Sequence, residues 1–196
     1  MKPNSLPALF VQTITAPREA ARALDSYRFS RDALLSGFVL AVIVNTLLFR
    51  VSYILSPSPL PAFLTNPANY ALLQTVVLGG SIVLISVIGR KFGGQAGYGQ
   101  IAAVMIWLSV VRAVIMVGLG LLVAGLPALG LLGLLGMIVI GVWITLTFVD
   151  ETHGFGSLWR AAGVSVLAML VLYVILSVLL FIALGAPSPE EIFPNV

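Results

Sequence analysis

Five long apolar stretches, separated by short polar or proline-rich segments, dominate the pattern of this 196-residue chain. Each stretch is about 20 residues or longer, the length of helix that crosses a hydrocarbon layer of roughly 30 Å. A soluble domain would have to hide all of these side chains in one core, so membrane spans are the simpler interpretation. The predicted spans are residues 33–55, 70–88, 98–123, 128–149 and 158–184.

The segments between the spans carry helix-breaking residues. SPSPLPAF and TNPAN follow the first span with four prolines, two asparagines and no charge, and they end the helix there. Gly125-Leu126-Pro127 predicts a tight turn between the third and fourth spans. The sequence therefore predicts an all-α integral membrane protein: a cytoplasmic arm over residues 1–31, a five-span domain over 32–185 and a non-cytoplasmic tail over 186–196.

The basic residues set the expected orientation of these spans. Of the ten Lys and Arg, Arg50 and Arg112 lie well inside spans, and the other eight, with Arg160 at the very start of the fifth span, fall on one side of the membrane. Lys and Arg in short loops favour the cytoplasmic side, so the N-terminus and the loop with Arg90 and Lys91 are predicted to be cytoplasmic, with these two residues at lipid headgroups. Five spans then place the C-terminus on the periplasmic side. The eight are Lys2, Arg18, Arg22, Arg28, Arg31, Arg90, Lys91 and Arg160.

A short amphipathic helix is predicted in the arm, starting at Pro17 with Thr15 as its cap and Glu19 near its positive end. Apolar side chains and the arginines Arg18 and Arg22 fall on different faces. This pattern is typical of a helix lying in the membrane interface, with its arginines at lipid headgroups. An equally open interpretation is that the helix packs on the cytoplasmic end of the bundle.

The composition supports a membrane protein and excludes several kinds of site. Charged residues make up only 9% of the chain and mean hydropathy is +1.12, so the net charge of +3 belongs to membrane surfaces rather than to a nucleic-acid patch. No cysteine is present, which excludes disulfides, thiol catalysis and cysteine-ligated metal. Prolines and charges also interrupt residues 1–31, so the arm is not expected to be a cleaved signal. No cofactor is expected.

Small residues recur in the third and fourth spans. Because they let helices approach closely in lipid, these two spans are expected to form a tight antiparallel pair. The alternative is that the same residues line a homodimer or partner interface. The residues concerned are Gly120, Ala124, Gly130, Gly133 and Gly136.

Arg112 is the least expected residue, because it lies near the middle of the third span, where a charge costs several kcal/mol. It is therefore expected to face the bundle. Asn45 and Tyr173 should lie at similar depth, and no carboxylate occurs in any span. One hypothesis is that Arg112 binds an anion, such as a lipid phosphate, a substrate or a partner carboxylate. The other is that Asn45, Tyr173 and backbone carbonyls hold it as a structural element.

Catalytic motifs are weak. Asp150, Glu151 and His153 lie together in DETHGFGSLWR, but residues of these types in a short loop more often cap and solvate helix ends than bind a metal. The glycine-rich segment GRKFGGQAGYGQ lacks the pattern of a phosphate-binding loop. The spans also lack the Asp, Glu or His typical of proton-coupled transport. The sequence thus favours a non-enzymatic protein.

Five spans, a cytoplasmic arm and Gly97-Tyr98-Gly99 at the start of the third span give the whole chain a resemblance to the YIP family of Ypt/Rab-interacting membrane proteins. GRKFGGQAGYGQ followed by Trp107, ETHGFGS and TAPREAARAL look like its compact bacterial branch. The family's aspartate-leucine-tyrosine-glycine-proline motif is absent, so Rab binding is not carried over.

The resemblance implies a non-enzymatic protein of a bacterial inner membrane that organises membrane or partner proteins. Anionic lipids and other membrane proteins, or further copies of the chain, are the expected partners. An accessory subunit of a larger membrane complex is one alternative. A small transporter or lipid-handling protein that uses Arg112 is the other.

Overall fold

A computed structural model of the chain describes residues 5–55, 59 and 61–184. Lys2, residues 56–58 and 60 of the proline loop and the predicted tail 186–196 lie outside these residues. Within them the secondary structure is entirely helical. The helices are α1 (Leu6–Thr15), α2 (Pro17–Asp25), α3 (Arg31–Leu55), α4 (Ala62–Thr65), α5 (Pro67–Lys91), α6 (Tyr98–Gly125), α7 (Pro127–His153) and α8 (Leu158–Leu184).

Five of these helices are long and apolar enough to cross a membrane: α3, α5, α6, α7 and α8. The prediction of a five-span all-α bundle is therefore confirmed. The main difference lies at the helix ends, because α5 and α7 continue several residues beyond the expected boundaries. Their extra turns carry Arg90 and Lys91 in α5 and Asp150 to His153 in α7.

Local sequence explains where the long helices start and stop. The side chain of Asn66 accepts a hydrogen bond from the amide of Ala68 at 2.9 Å, and Pro67 occupies the first helical position of α5. The amide of Gly97 donates to the side chain of Gln100 at 2.8 Å at the start of α6. Gly154 ends α7 in the left-handed region, with φ of 68°, which glycine adopts without steric cost.

The five long helices form a ring in the order α3, α5, α8, α7, α6, and α5 and α6 also touch across it. Close approaches depend on glycine at particular positions. A side chain at Gly80 of α5 would come within 2.7 Å of Leu172 of α8. At Gly133 of α7 it would come within 2.7 Å of Leu119 of α6. The helices thus pack by near contact of their backbones, as expected in lipid.

The predicted glycines of the α6–α7 pair divide into two groups. Gly130 and Gly133 face α6 so closely that an added Cβ would meet Val123 and Leu119. Gly120 and Gly136 have open space, and Ala124 is exposed. Only the first group brings the two helices together.

The arm, residues 5–25, consists of two helices rather than one. α2 packs against α6 and α7, and α1 packs against α2. Leu9 and Leu24 are each 4% exposed and share a cluster with Phe148 of α7. Of the two interpretations left open, the structure has the arm packed on the bundle. The prediction that Thr15 caps α2 is wrong. Ala16 is the N-cap residue, and the hydroxyl of Thr15 donates instead to the carbonyl of Val11.

Candidate functional site

Arg112 lies near the middle of α6, 14 residues from Tyr98 and 13 from Gly125. At about 1.5 Å per residue, it is roughly 20 Å from either end of the helix. Its side chain is exposed on the outside of the bundle and does not face the interior as expected. The reason is helical geometry: Val111 and Ala113, each 4% exposed, take the inward positions, and about 100° per residue turns Arg112 to the opposite side.

Within the described part of the chain, Arg112 makes no hydrogen bond, ion pair or ring contact. Its expected neighbours lie elsewhere. The side chain of Asn45 donates to the hydroxyl of Ser109 at 2.9 Å and to the carbonyl of Ala41 at 2.7 Å. Tyr173 is 69% exposed on α8. The structure therefore does not bring these three side chains together.

The last turn of α7 anchors the arm. Arg18 lies 3.5 Å from Asp150, whose side chain is only 3% exposed, and Arg22 pairs with Glu151. The Arg22 guanidinium donates a hydrogen bond to Glu151, which raises the pKa of Arg22. The arginines predicted to contact lipid headgroups thus have carboxylate partners within the protein.

Two further hydrogen bonds connect the arm to α6. The indole of Trp107 donates to the hydroxyl of Thr13 at 2.9 Å, and Gln100 donates to the carboxylate of Asp25 at 2.6 Å. Sequence reasoning missed all of these contacts. The one available signal was the pair of arginines on α2 and the acidic pair that begins DETHGFGSLWR.

Among the polar residues, His153 differs most from its expected position. It was expected to help solvate a helix end, yet it is 1% exposed and its ring stacks on Phe155 with centroids 4.9 Å apart. A Cβ at Gly89 or at Gly94 would overlap the ring. Gly89 and Gly94, the first and last residues of GRKFGG, therefore make room for a histidine from another helix.

Arg90 and Lys91 lie at the same end of the bundle as the arm, and both are exposed. The Arg90 guanidinium sits over the ring of Tyr98 at 4.5 Å and donates to the carbonyl of Ser86. Contact of these residues with lipid headgroups stays a prediction. Among the described residues, no group of three His, Asp or Glu is placed to hold a metal.

Comparison with known proteins identifies one family. The family model described as the Yip1 domain matches residues 11–179. The match covers the second half of α1, α2 and the five long helices as far as residue 179 in α8, so this chain belongs to the Yip1 domain family. No curated protein and no solved structure gives a significant match.

Proposed function

We propose that this Yip1 domain protein is a non-enzymatic scaffold that organises a membrane by binding another membrane protein at the face of α6 that carries Arg112. The supporting observation is the position of this arginine, exposed near mid-helix with no partner in the described chain. A cation in that zone costs several kcal/mol when it faces lipid alone. A partner that supplies a negative charge removes this cost.

The partner is a transmembrane helix that carries an Asp or Glu near mid-membrane. A second copy of the chain lacks such a group, because none of its predicted spans contains Asp or Glu. Lipid phosphates lie at the surface of a hydrocarbon layer of roughly 30 Å, about half that thickness from its centre. Charge complementarity therefore favours another protein over a lipid or a homodimer.

The proposed location is a bacterial inner membrane, with the arm in the cytoplasm. The clustering of basic residues at one end of the bundle supports this orientation. If this protein is an accessory subunit of a larger complex, it would bind that complex through the same face of α6, and its partner would be stoichiometric. Gentle detergent extraction followed by mass spectrometry distinguishes a stoichiometric partner from a transient one.

The test places a photoreactive amino acid at Met116, which is 45% exposed and one helical turn from Arg112. Irradiation of native membranes should give one crosslinked membrane protein whose attached peptide contains an Asp or Glu within an apolar segment. Arg112→Leu should reduce this product at least tenfold. The variant should keep the thermal stability of the parent protein, because no contact in the described chain is lost.

A charge exchange completes the test. Arg112→Glu should abolish crosslinking, and replacing the partner's carboxylate with arginine should restore it. The matched control is the photoreactive group at Val178 of α8, which is 52% exposed and lies on a different helix. Crosslinks to lipid alone or to a second copy, or an unchanged product in Arg112→Leu, would overturn the proposal.

A further inference from the structure

Two adjoining cavities lie between the arm and the first halves of α3 and α6. The larger has a volume of about 430 Å³ and the smaller about 280 Å³. They share part of their walls, so together they form one continuous cleft, here called the arm cleft. The shared residues are Leu24, Tyr27, Phe29, Leu34 and Ala103.

The two halves of the arm cleft differ in chemistry. The larger cavity is lined mainly by apolar side chains such as Leu9, Ile106 and Val110. The smaller one is lined by the charged and polar side chains of Asp25, Arg28 and Gln100. An apolar cavity of about 150 Å³ already holds a ligand the size of benzene, so the larger half has room for several times as many carbon atoms.

Asp25 and Arg28 line the same small cavity without pairing with each other. The ion pairs of the described residues are Arg18 with Asp150 and Arg22 with Glu151. Asp25 accepts a hydrogen bond from Gln100, and Arg28 has no hydrogen bond, ion pair or ring contact within the described chain. The cavity therefore presents one carboxylate and one guanidinium, which suit a ligand that carries both a positive and a negative charge.

We propose that the arm cleft binds one phospholipid with a primary ammonium headgroup. One acyl chain occupies the larger cavity, the phosphate meets Arg28 and the ammonium meets Asp25. The guanidinium is suited to phosphate, and the ammonium supplies three hydrogen-bond donors for the carboxylate. This inference does not depend on the Arg112 face or on any protein partner.

The headgroup determines which phospholipid binds. An acyl chain gains little free energy when it moves from the bilayer into an apolar cavity. A glycerol headgroup would leave the Asp25 carboxylate beside a phosphate without a compensating cation. A choline headgroup has the cation but no N–H to donate. The ethanolamine headgroup alone among these three matches both charged side chains and offers a donor.

The experiment is native mass spectrometry of the full chain in detergent with three palmitoyl-oleoyl lipids: phosphatidylethanolamine, phosphatidylcholine and phosphatidylglycerol. One molecule of phosphatidylethanolamine should remain bound at about tenfold lower lipid concentration than the other two. Asp25→Asn should remove the preference over phosphatidylcholine. Arg28→Gln should weaken retention of the ethanolamine lipid itself.

A steric variant tests the larger cavity independently of charge. Ala33→Trp fills the arm cleft from α3 and should abolish retention of the single lipid. Val39→Trp is the matched control, since Val39 is 53% exposed on the same helix and does not line the cleft. Thermal unfolding in lipid-free detergent verifies that both variants fold.

Equal retention of the three lipids, or retention unchanged in Ala33→Trp, would mean surface lipid only and would overturn the proposal. Preference for phosphatidylglycerol would overturn the assignment of the headgroup. Because none of these variants alters Arg112, failure here leaves crosslinking at Met116 unaffected, and the two proposals are separable.

Discussion

The packing of His153 shows how single residues at the arm end of the bundle depend on each other. Its ring lies between Gly89 at the end of α5 and Gly94 in the following loop. The backbone of that loop also meets α7, because the amide of Gln95 donates to the carbonyl of His153 at 3.1 Å. The absence of a side chain at Gly89 and Gly94 is therefore a packing requirement of a distant residue.

Gly89→Ala should destabilise the protein, because the new methyl group would overlap the His153 ring. Forcing an extra methyl into a packed site costs about 1–3 kcal/mol. We expect a lower midpoint of thermal unfolding in detergent. Gly118→Ala is the control, since a Cβ at Gly118 meets no atom within 4 Å and the position is also helical.

The double variant Gly89→Ala with His153→Ala checks the cause. Removing the ring should make the alanine at position 89 nearly neutral relative to His153→Ala alone. An equal loss of stability in both backgrounds would show that the helix end, and not the ring, excludes the methyl group.

At the scale of elements, the arm helices are held by two kinds of interaction. Burial of Leu9 and Leu24 against α6 and α7 supplies the apolar contact, while Arg18 and Arg22 fix the position of α2 against the last turn of α7. The Arg22 side chain of the Arg22–Glu151 pair is 66% exposed, so solvent screens the pair and its contribution to stability is small. The pair mainly fixes where α2 lies on the bundle.

Arg22→Glu should loosen the arm, because it places two carboxylates opposite each other. The chain has no cysteine, so Ala20→Cys gives a unique thiol at a position that is 0% exposed. Maleimide labelling of this thiol should accelerate about two- to fivefold when Arg22→Glu is added, because an exposed ion pair contributes little to stability and its loss opens the arm only modestly. Adding Glu151→Arg should restore slow labelling. Fast labelling of Ala20→Cys alone would contradict a docked arm.

At the scale of the whole molecule, the ring of five spans places unlike loops at its two ends. One end has the arm, the end of α5 with Arg90 and Lys91, and the α7–α8 loop. The other has the Leu126 turn, where Leu126 is 54% exposed. With five spans, an odd number, the prediction that the two termini lie on opposite sides of the membrane stays a prediction.

Orientation is testable with two single cysteines in the cysteine-free chain. Leu126→Cys should react with a membrane-impermeant maleimide added to intact cells, because the basic end is predicted to be cytoplasmic. Gln95→Cys, in the exposed α5–α6 loop, should react only after the membrane is permeabilised. The reverse pattern would invert the predicted topology, and labelling of both in intact cells would contradict the five-span arrangement.

The five spans and the turn at Leu126 were predictable from the amino-acid sequence. Apolar length is a local property, and so are the proline and glycine positions that end a helix. Similar reasoning located α2, since Pro17 and the acid at Glu19 are local signals. The resemblance to the YIP family rested on the same layout of spans, and the match of the family model over residues 11–179 confirms it.

Tertiary structure alone decided which side each polar residue faces. The cost of a buried charge predicted that Arg112 would turn inward, but Val111 and Ala113 fit the bundle better and the helix has a fixed rotation per residue. The docking of α2, the burial of His153 and the arm cleft each depend on residues far apart in the chain. Such pairings depend on how helices pack, which no local pattern of hydrophobic and polar positions specifies.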